Sequence, residues 1–274
     1  MRFAKAHAYG NDFLYVHQSL VHAVAIQTLA CEMCDRHTGI GADGLIVYAR
    51  EGTHVSMRLF NADGSPAEVS GNGVRALGAL VLLHERLVHA EITVDTVVGP
   101  KPLVRLERDG GRQHFRSAMG LPSDLRQVSL EAAGERLDTV VLNFGNPQCI
   151  VLGALPDHAR FLKLGAALER HPFFPHRTNV EFAQVEAPDR IRILIWERGC
   201  GPTQSSGTGS CAALIAAAAF GGASRNAEVI APGGPQRVEW EANSVYLTGW
   251  AEVVCEGEWL RQLPNLPAAA STMP

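Results

Sequence analysis

The chain has 274 residues, 46% of them hydrophobic, with 24 lysines and arginines against 28 aspartates and glutamates. That length and apolar content allow one large domain or two of ordinary size, each with a real core. The net charge of -4 builds in no general attraction to nucleic acid or to an anionic membrane, so the partner to expect is a small molecule.

The start, Met1 to His7, lacks the uninterrupted apolar segment of a secretory signal, and the longest apolar run, Cys211 to Phe220, is too short to cross a bilayer. A soluble, cytoplasmic protein is expected. Phe13 to His17 reads as a strand, followed by a helix around Ala25 to Arg36. That helix carries Cys31 and Cys34, with His37 three residues on; a zinc site would need a fourth ligand at matching spacing, which the sequence does not supply. The pair is read as two half-buried thiols on one helix face. The six cysteines are scattered, so no disulfide framework is expected and no metal is implied. Further strands are predicted at Leu45 to Tyr48, Val55 to Phe60, Ile92 to Val97, Val140 to Asn143, Val180 to Gln184, Ile191 to Trp196 and Val245 to Val254. The tail Pro264 to Pro274, rich in Pro and Ala, is expected to be mobile.

Comparing the chain with itself exposes a duplication. Ser70-Gly71-Asn72-Gly73 matches Ser206-Gly207-Thr208-Gly209 at an offset of 136, and the same offset takes Pro66 to Pro202 and Ala76 to Ala212. Nine residues before each serine a polar residue ends a strand-like run: Asn61 in one copy, Glu197 in the other. Asp43 falls on Asn179, and with a slip of one residue Gly10-Asn11 falls on Gly145-Asn146. Each serine-glycine turn leads into a segment apolar on nearly every face, Val74 to Leu83 and Cys211 to Phe220, which describes a helix enclosed by other structure. The fold class is therefore α/β (α+β): two pseudo-symmetric halves, 1-116 and 117-274, each wrapping strands around one buried helix, with the active site in the cleft between them. The last structured residues are expected to pack back on the first half or to be mobile.

A serine followed by Gly-x-Gly at a helix start caps the helix with its hydroxyl and lets backbone N-H groups approach an anion at the positive end. Two such turns could grip a carboxylate and stabilise the charge that develops when an alpha proton leaves. One acid-base group from each half would serve the two faces of a stereocentre without a cofactor. Both turns also fit a loose dinucleotide fingerprint, but a strand does not immediately precede the first glycine; Pro66 to Ser70 and Pro202 to Ser206 read as loops.

At these residues the chain resembles the diaminopimelate epimerase family, from near its start to about residue 255. Gly10-Asn11-Asp12-Phe13, His37-Thr38-Gly39-Ile40-Gly41-Ala42-Asp43-Gly44, Phe60-Asn61-Ala62-Asp63-Gly64-Ser65, Gly145-Asn146-Pro147, Arg177-Thr178-Asn179-Val180 and Glu197-Arg198-Gly199 are similar to its motifs, in order. The resemblance implies an isomerase that interconverts LL- and meso-diaminopimelate by two-base proton transfer, without cofactor or metal, in lysine and cell-wall precursor biosynthesis. It assigns the distal end of the substrate to Asn61, Asn146, Asn179, Glu197 and Arg198, with Asn11 nearby, and the reacting carboxylate to the backbone of Gly71-Asn72 and Gly207-Thr208. An arginine can take a carboxylate in a bidentate grip, and a glutamate can accept from an ammonium group. The implied partner is a small-molecule amino acid, with neither nucleic acid nor membrane; a homodimer stays open.

Three positions depart from the family wording. Ser70 and Ser206 stand where the family carries its two catalytic cysteines, and Gln148 stands where it usually has histidine. A thiol titrates near about 8.5 and falls further at a helix N-terminus. A hydroxyl is far less acidic, and the helix dipole, worth about 2 kcal/mol at best, shifts a pKa by only about 1.5 units. Three readings follow: cysteines replaced to capture substrate, a natural variant that epimerises slowly or uses another base, and an amino-acid-binding relative without turnover; an amino-acid racemase of the same fold with another substrate is the alternative function.

Overall fold

The structure, a computed structural model, describes residues 1-22, 24-87 and 89-262. The expectation for Pro264 to Pro274 lies outside the described residues. The chain forms two compact units, one of Met1–Gln113 together with Ala251 onward and one of His114–Trp250.

The first unit opens with β1 (Arg2–Ala8) and β2 (Asn11–His17), an antiparallel hairpin whose turn, Tyr9-Gly10, holds both residues at positive φ (54° and 86°). Such a turn matches the strands' own twist, and glycine takes its second place without strain. The chain then crosses through α1 (Ile26–Cys34) to β3 (Gly44–Glu51), parallel to β2, and returns in β4 (His54–Asn61), antiparallel to β3. The two residues of β5 (Pro66–Ala67) pair with the end of β4. Next comes α2 (Gly71–Val81), then β6 (Ala90–Thr96) parallel to β4 and β7 (Gly99–Asp109) antiparallel to β6. The chain leaves this unit within β8 (Arg112–Gly120).

The second unit repeats the plan. β9 (Ser123–Ala132), β10 (Glu135–Asn143) and β11 (Pro147–Leu152) run antiparallel in turn. α3 (His158–Glu169) then leads to β12 (Asn179–Ala187), parallel to β11, and β13 (Arg190–Glu197) returns antiparallel. The short β14 (Gly201–Thr203) pairs with the end of β13 and precedes α4 (Gly207–Phe220). β15 (Asn226–Ala231), β16 (Gly234–Trp240) and β17 (Val245–Glu258) as far as Trp250 complete the unit; the rest of β17 belongs to the first unit, where Glu252 to Glu258 pair with β1. The duplication is visible in register: Phe60 pairs with Pro66 as Trp196 pairs with Pro202, and Leu59 with Ala67 as Ile195 with Thr203. The chain is thus a mixed α/β fold of two pseudo-symmetric halves.

The two apolar helices are enclosed as their sequences demand. Asn72 through Leu80 of α2 and Gly209 through Ala217 of α4 are buried. In α4, Ala212, Ala213, Ala216 and Ala217 let the sheet approach closely, while Leu214 and Ile215 fill the space against Ile150, Ile193 and Ile195. Full burial of each such aliphatic side chain contributes about 1.5-3 kcal/mol, so Leu214→Ala would cost about 2-5 kcal/mol once the cavity is included.

Three readings need correction. Cys31 is exposed and Cys34 buried, so they do not share one half-buried face; burial, helped by Asp12, pushes the Cys34 thiol to about 12. Pro66 to Ser70 and Pro202 to Ser206 are not wholly loops, because each begins in a short strand. Asp43 is not the register partner of Asn179: Leu45 pairs with Phe60 as Val180 pairs with Trp196, and since Phe60 matches Trp196 at 136, Leu45 matches Val180 at 135 and Gly44 falls on Asn179. The sequence reading also did not nominate β1, β7 to β9, β11, β15, β16 or α3.

Candidate active site

In the first unit Ser70 is the N-cap of α2. It has extended backbone (φ -122°, ψ 120°), and its hydroxyl accepts from Gly73 N-H at 3.1 Å. The same hydroxyl donates to Asn11 Oδ1 at 3.4 Å, and Asn72 Nδ2 donates to that oxygen at 3.4 Å. Asn11 is held from behind, its Nδ2 donating to Asp43 Oδ2 at 2.6 Å. Arg36 joins Asp43 to Asp12 through contacts of 2.8 Å to each, and Lys5 lies 2.9 Å from Asp12. Burial pushes the Asp12 carboxyl up, but the hydrogen bonds from Arg36 and Lys5 outweigh it and hold the group below the ordinary carboxylate value. Gly71 is exposed at the helix start, whereas Asn72 is buried and accepts from Arg75 Nη1 at 3.3 Å. Asn61, exposed at the end of β4, donates to Ser65 Oγ at 3.0 Å, within its own turn.

The second unit carries the equivalent turn. Ser206 caps α4 with φ -137° and ψ 124°, its hydroxyl accepting from Gly209 N-H at 3.2 Å and lying 3.5 Å from Thr208 Oγ1. Ser206 is buried and Ser70 only half-buried. Glu197, the last residue of β13, has its pKa raised by burial, with the Thr203 and Ser206 hydroxyls acting in the opposite direction. Asn179 takes Arg198 N-H on its Oδ1 at 2.9 Å and reaches Pro147 O with Nδ2 at 3.4 Å. The exposed Arg198 uses Nη1 on His176 O at 3.3 Å. Asn146, half-buried before β11, accepts from Gln148 Nε2 at 2.6 Å. Gly207 and Thr208 form the first turn, whose N-H groups have no intrahelical acceptor.

Three contributors escaped the sequence reading as site residues. Asp43 and Arg36, which fix Asn11, were legible only as motif residues or charges. Glu181 is fully buried on β12, with an oxygen so close under α4 that a Cβ built on Gly209 would meet it at 2.6 Å. Its signal was a carboxyl at an inward position, between Asn179 and Ala183 on alternate residues. Among the described residues, no group of three or more His, Cys, Asp or Glu gathers to hold a metal, so His37 completes no site with Cys31 and Cys34. No helix among them is long and apolar enough to cross a membrane.

The comparison that decides the family is sequence-wide: the family model described as diaminopimelate epimerase matches residues 3-123 and 140-254. The chain belongs to the diaminopimelate epimerase family. This is a family of isomerases, and curated members match the chain almost end to end. Diaminopimelate epimerase of Desulforudis audaxviator is 39% identical over 95% of this chain and 100% of its own length. That of Pelotomaculum thermopropionicum is 39% identical over 94% and 99%. Solved structures share the fold at much lower identity. A probable proline racemase from Agrobacterium radiobacter superposes with a TM-score of 0.70 at 17% identity, covering 95% of this chain and 93% of that one. A hydroxyproline epimerase from Agrobacterium vitis gives 0.67 at 16%, covering 94% and 91%.

Proposed function

We propose that this diaminopimelate epimerase family member interconverts LL- and meso-diaminopimelate without a cofactor, in the cytoplasmic synthesis of lysine and cell-wall precursors, with Ser70 and Ser206 at the two acid-base positions. The observation that carries the reading is the matched pair of serine-capped helix starts, with the Asn11 amide at Ser70 and the Glu197 carboxyl at Ser206. Free first-turn N-H groups at Gly71-Asn72 and Gly207-Thr208 take the reacting carboxylate and the negative charge that grows on it as the alpha proton leaves. Asn11, Asn61, Asn146, Asn179, Glu197 and Arg198 recognise the rest of the zwitterion, Arg198 taking a carboxylate and Glu197 an ammonium.

The two serines are unequal. Ser70 gives its proton to an amide oxygen, whereas Ser206 lies beside the Glu197 carboxyl, which can carry a proton that a hydroxyl holds too tightly. That inequality also supports a second reading, an amino-acid-binding chain with slow or no turnover. Exchange of the alpha proton of diaminopimelate in deuterated water, with no cofactor added, separates the two: exchange supports the epimerase, and binding without exchange supports the binding protein. Calorimetry tests the substrate, since diaminopimelate should bind more tightly than alanine or proline, and Arg198→Ala should remove most of the difference. Equal binding of the three would refute the substrate assignment.

A further inference from the structure

The buried Glu181 carboxyl, the Gln148 amide and the Asn146 amide form a chain leading from beneath the N-terminus of α4 to the half-buried Asn146. Gln148 is itself fully buried, so its donor and acceptor atoms must find partners inside the protein. In the orientation shown, Gln148 Nε2 donates to Asn146 Oδ1 at 2.6 Å, and the amide oxygen faces the Glu181 carboxyl. Two acceptors face one another there unless Glu181 carries a proton and donates it to Gln148. With the Gln148 amide turned over, its nitrogen donates to both Glu181 oxygens at 3.1 Å and its oxygen accepts from Asn179 Nδ2 at 3.3 Å. The amide oxygen then stands 2.6 Å from the atom of Asn146 that was an oxygen, so Asn146 must turn over as well. Each arrangement suits one charge state of Glu181, since a neutral carboxyl can donate to the amide oxygen and an ionised one can only accept from the amide nitrogen.

We propose that Glu181 is a positioning residue whose proton sets, through Gln148, whether Asn146 offers a bound ligand its N-H donors or its carbonyl oxygen. With Glu181 neutral, Asn146 spends its oxygen on Gln148 and turns its NH2 toward a ligand carboxylate. With Glu181 ionised, the NH2 is spent and the oxygen is offered. The groups around Glu181 favour the neutral form: burial and the charge of Glu197 on β13 both push its pKa well above the ordinary carboxylate value. Cys149 on β11 is a neutral thiol, pushed to about 12 by burial first and Glu181 second. From α4 come the Ser206 and Thr208 hydroxyls and backbone N-H groups; the helix carries no charged side chain, and Cys211 is its one titratable group. The positive end of the helix is the feature that favours ionisation. Arg190 and Arg192 of β13 are engaged with Glu186.

The consequence for ligand rests on the proposed amino-acid pocket, while the network itself does not. The test is an NMR titration of the full chain labelled with carbon-13 and nitrogen-15, following the Glu181 carboxyl and the side-chain amides of Gln148 and Asn146, with Glu181→Gln to assign the carboxyl. One shared transition above the ordinary carboxylate range is expected. In Glu181→Gln, which has no carboxyl to titrate, the Gln148 and Asn146 amides should hold one position at every pH. Diaminopimelate affinity of the native chain should fall about tenfold as pH rises through that transition, because a donor to a carboxylate is lost, and Glu181→Gln should lose this step. Amides that stay still while Glu181 titrates, or a Glu181 ionised throughout, would overturn the proposal. If diaminopimelate does not bind at all, the substrate reading fails while the NMR transition still decides the network. Should Glu181→Gln not fold, the titration of the native chain carries the test alone.

Discussion

Asn11 donates to Asp43 at 2.6 Å, and that bond turns the Asn11 amide oxygen toward Ser70 and Asn72. Asp43 thus reaches the proposed catalytic hydroxyl through one intermediate, and Arg36 stands behind it at 2.8 Å. Asp43→Ala should free Asn11 to rotate and leave Ser70 without a fixed acceptor. Alpha-proton exchange should fall about tenfold, with a stability loss of only about 1 kcal/mol because Asp43 and Arg36 are largely exposed. Exchange kinetics alongside denaturant unfolding check this. Unchanged exchange would show that Asn11 needs no support.

Gly209 and Gly73 occupy equivalent positions in the first turns of α4 and α2, yet they should not tolerate alanine equally. A Cβ at Gly209 would meet Glu181 Oε1 at 2.6 Å and Ser206 Oγ at 3.2 Å, whereas at Gly73 its nearest neighbour is the Ile46 terminal methyl at 2.9 Å. A methyl on a rotatable side chain can give way more easily than a carboxyl fixed by buried amides. Gly209→Ala should therefore cost about 1-3 kcal/mol, and Gly73→Ala less. Equilibrium unfolding of the two variants makes the comparison directly.

Much of the fold was legible because duplication and enclosure leave marks in sequence. The Ser-Gly-x-Gly copies located both helix starts, and the apolar runs behind them announced both buried helices. Eight strands were visible from β-rich runs such as Ile191 to Trp196. β7 to β9 were not: β7 places a charged residue, Arg105, at a fully buried position, and β8 and β9 carry no uninterrupted apolar run. Asn11 and Ser70 of the candidate site were singled out by their own motifs and lie in hydrogen-bond contact. It was hidden where the partner is distant in sequence, as with Asp43 behind Asn11, or where a carboxyl hides in an apolar strand, as at Glu181.

Glu181 also governs how stability responds to pH. Its folded pKa lies above the unfolded value, so the native state binds the proton more tightly, and the stability this provides is present at low pH. It is lost as pH rises from the ordinary carboxylate value near 4.5 through the folded pKa. Glu181→Gln should flatten that decline and exceed the native chain in stability toward alkaline pH. Unfolding free energies across the range would show it, and parallel curves for the two proteins would contradict it.

Asp12 gives the opposite sign. Its folded pKa is lowered from 3.8, so its contribution is present above that value and lost as pH falls through the folded pKa. Arg36→Ala removes one of the two cations responsible and should make acid unfolding begin at higher pH. Acid titrations followed by circular dichroism would test this, and coincident midpoints would count against it.

The most direct measurement of the central claim is alpha-proton exchange and epimerisation of diaminopimelate by the native chain, by each single cysteine replacement and by the double form Ser70→Cys with Ser206→Cys. Ser70 and Ser206 as the two acid-base groups predict a large gain in the double form and a smaller one in each single form, since a group is needed on each face. A native chain that already turns over diaminopimelate rapidly, with a double cysteine form no faster, would contradict that assignment.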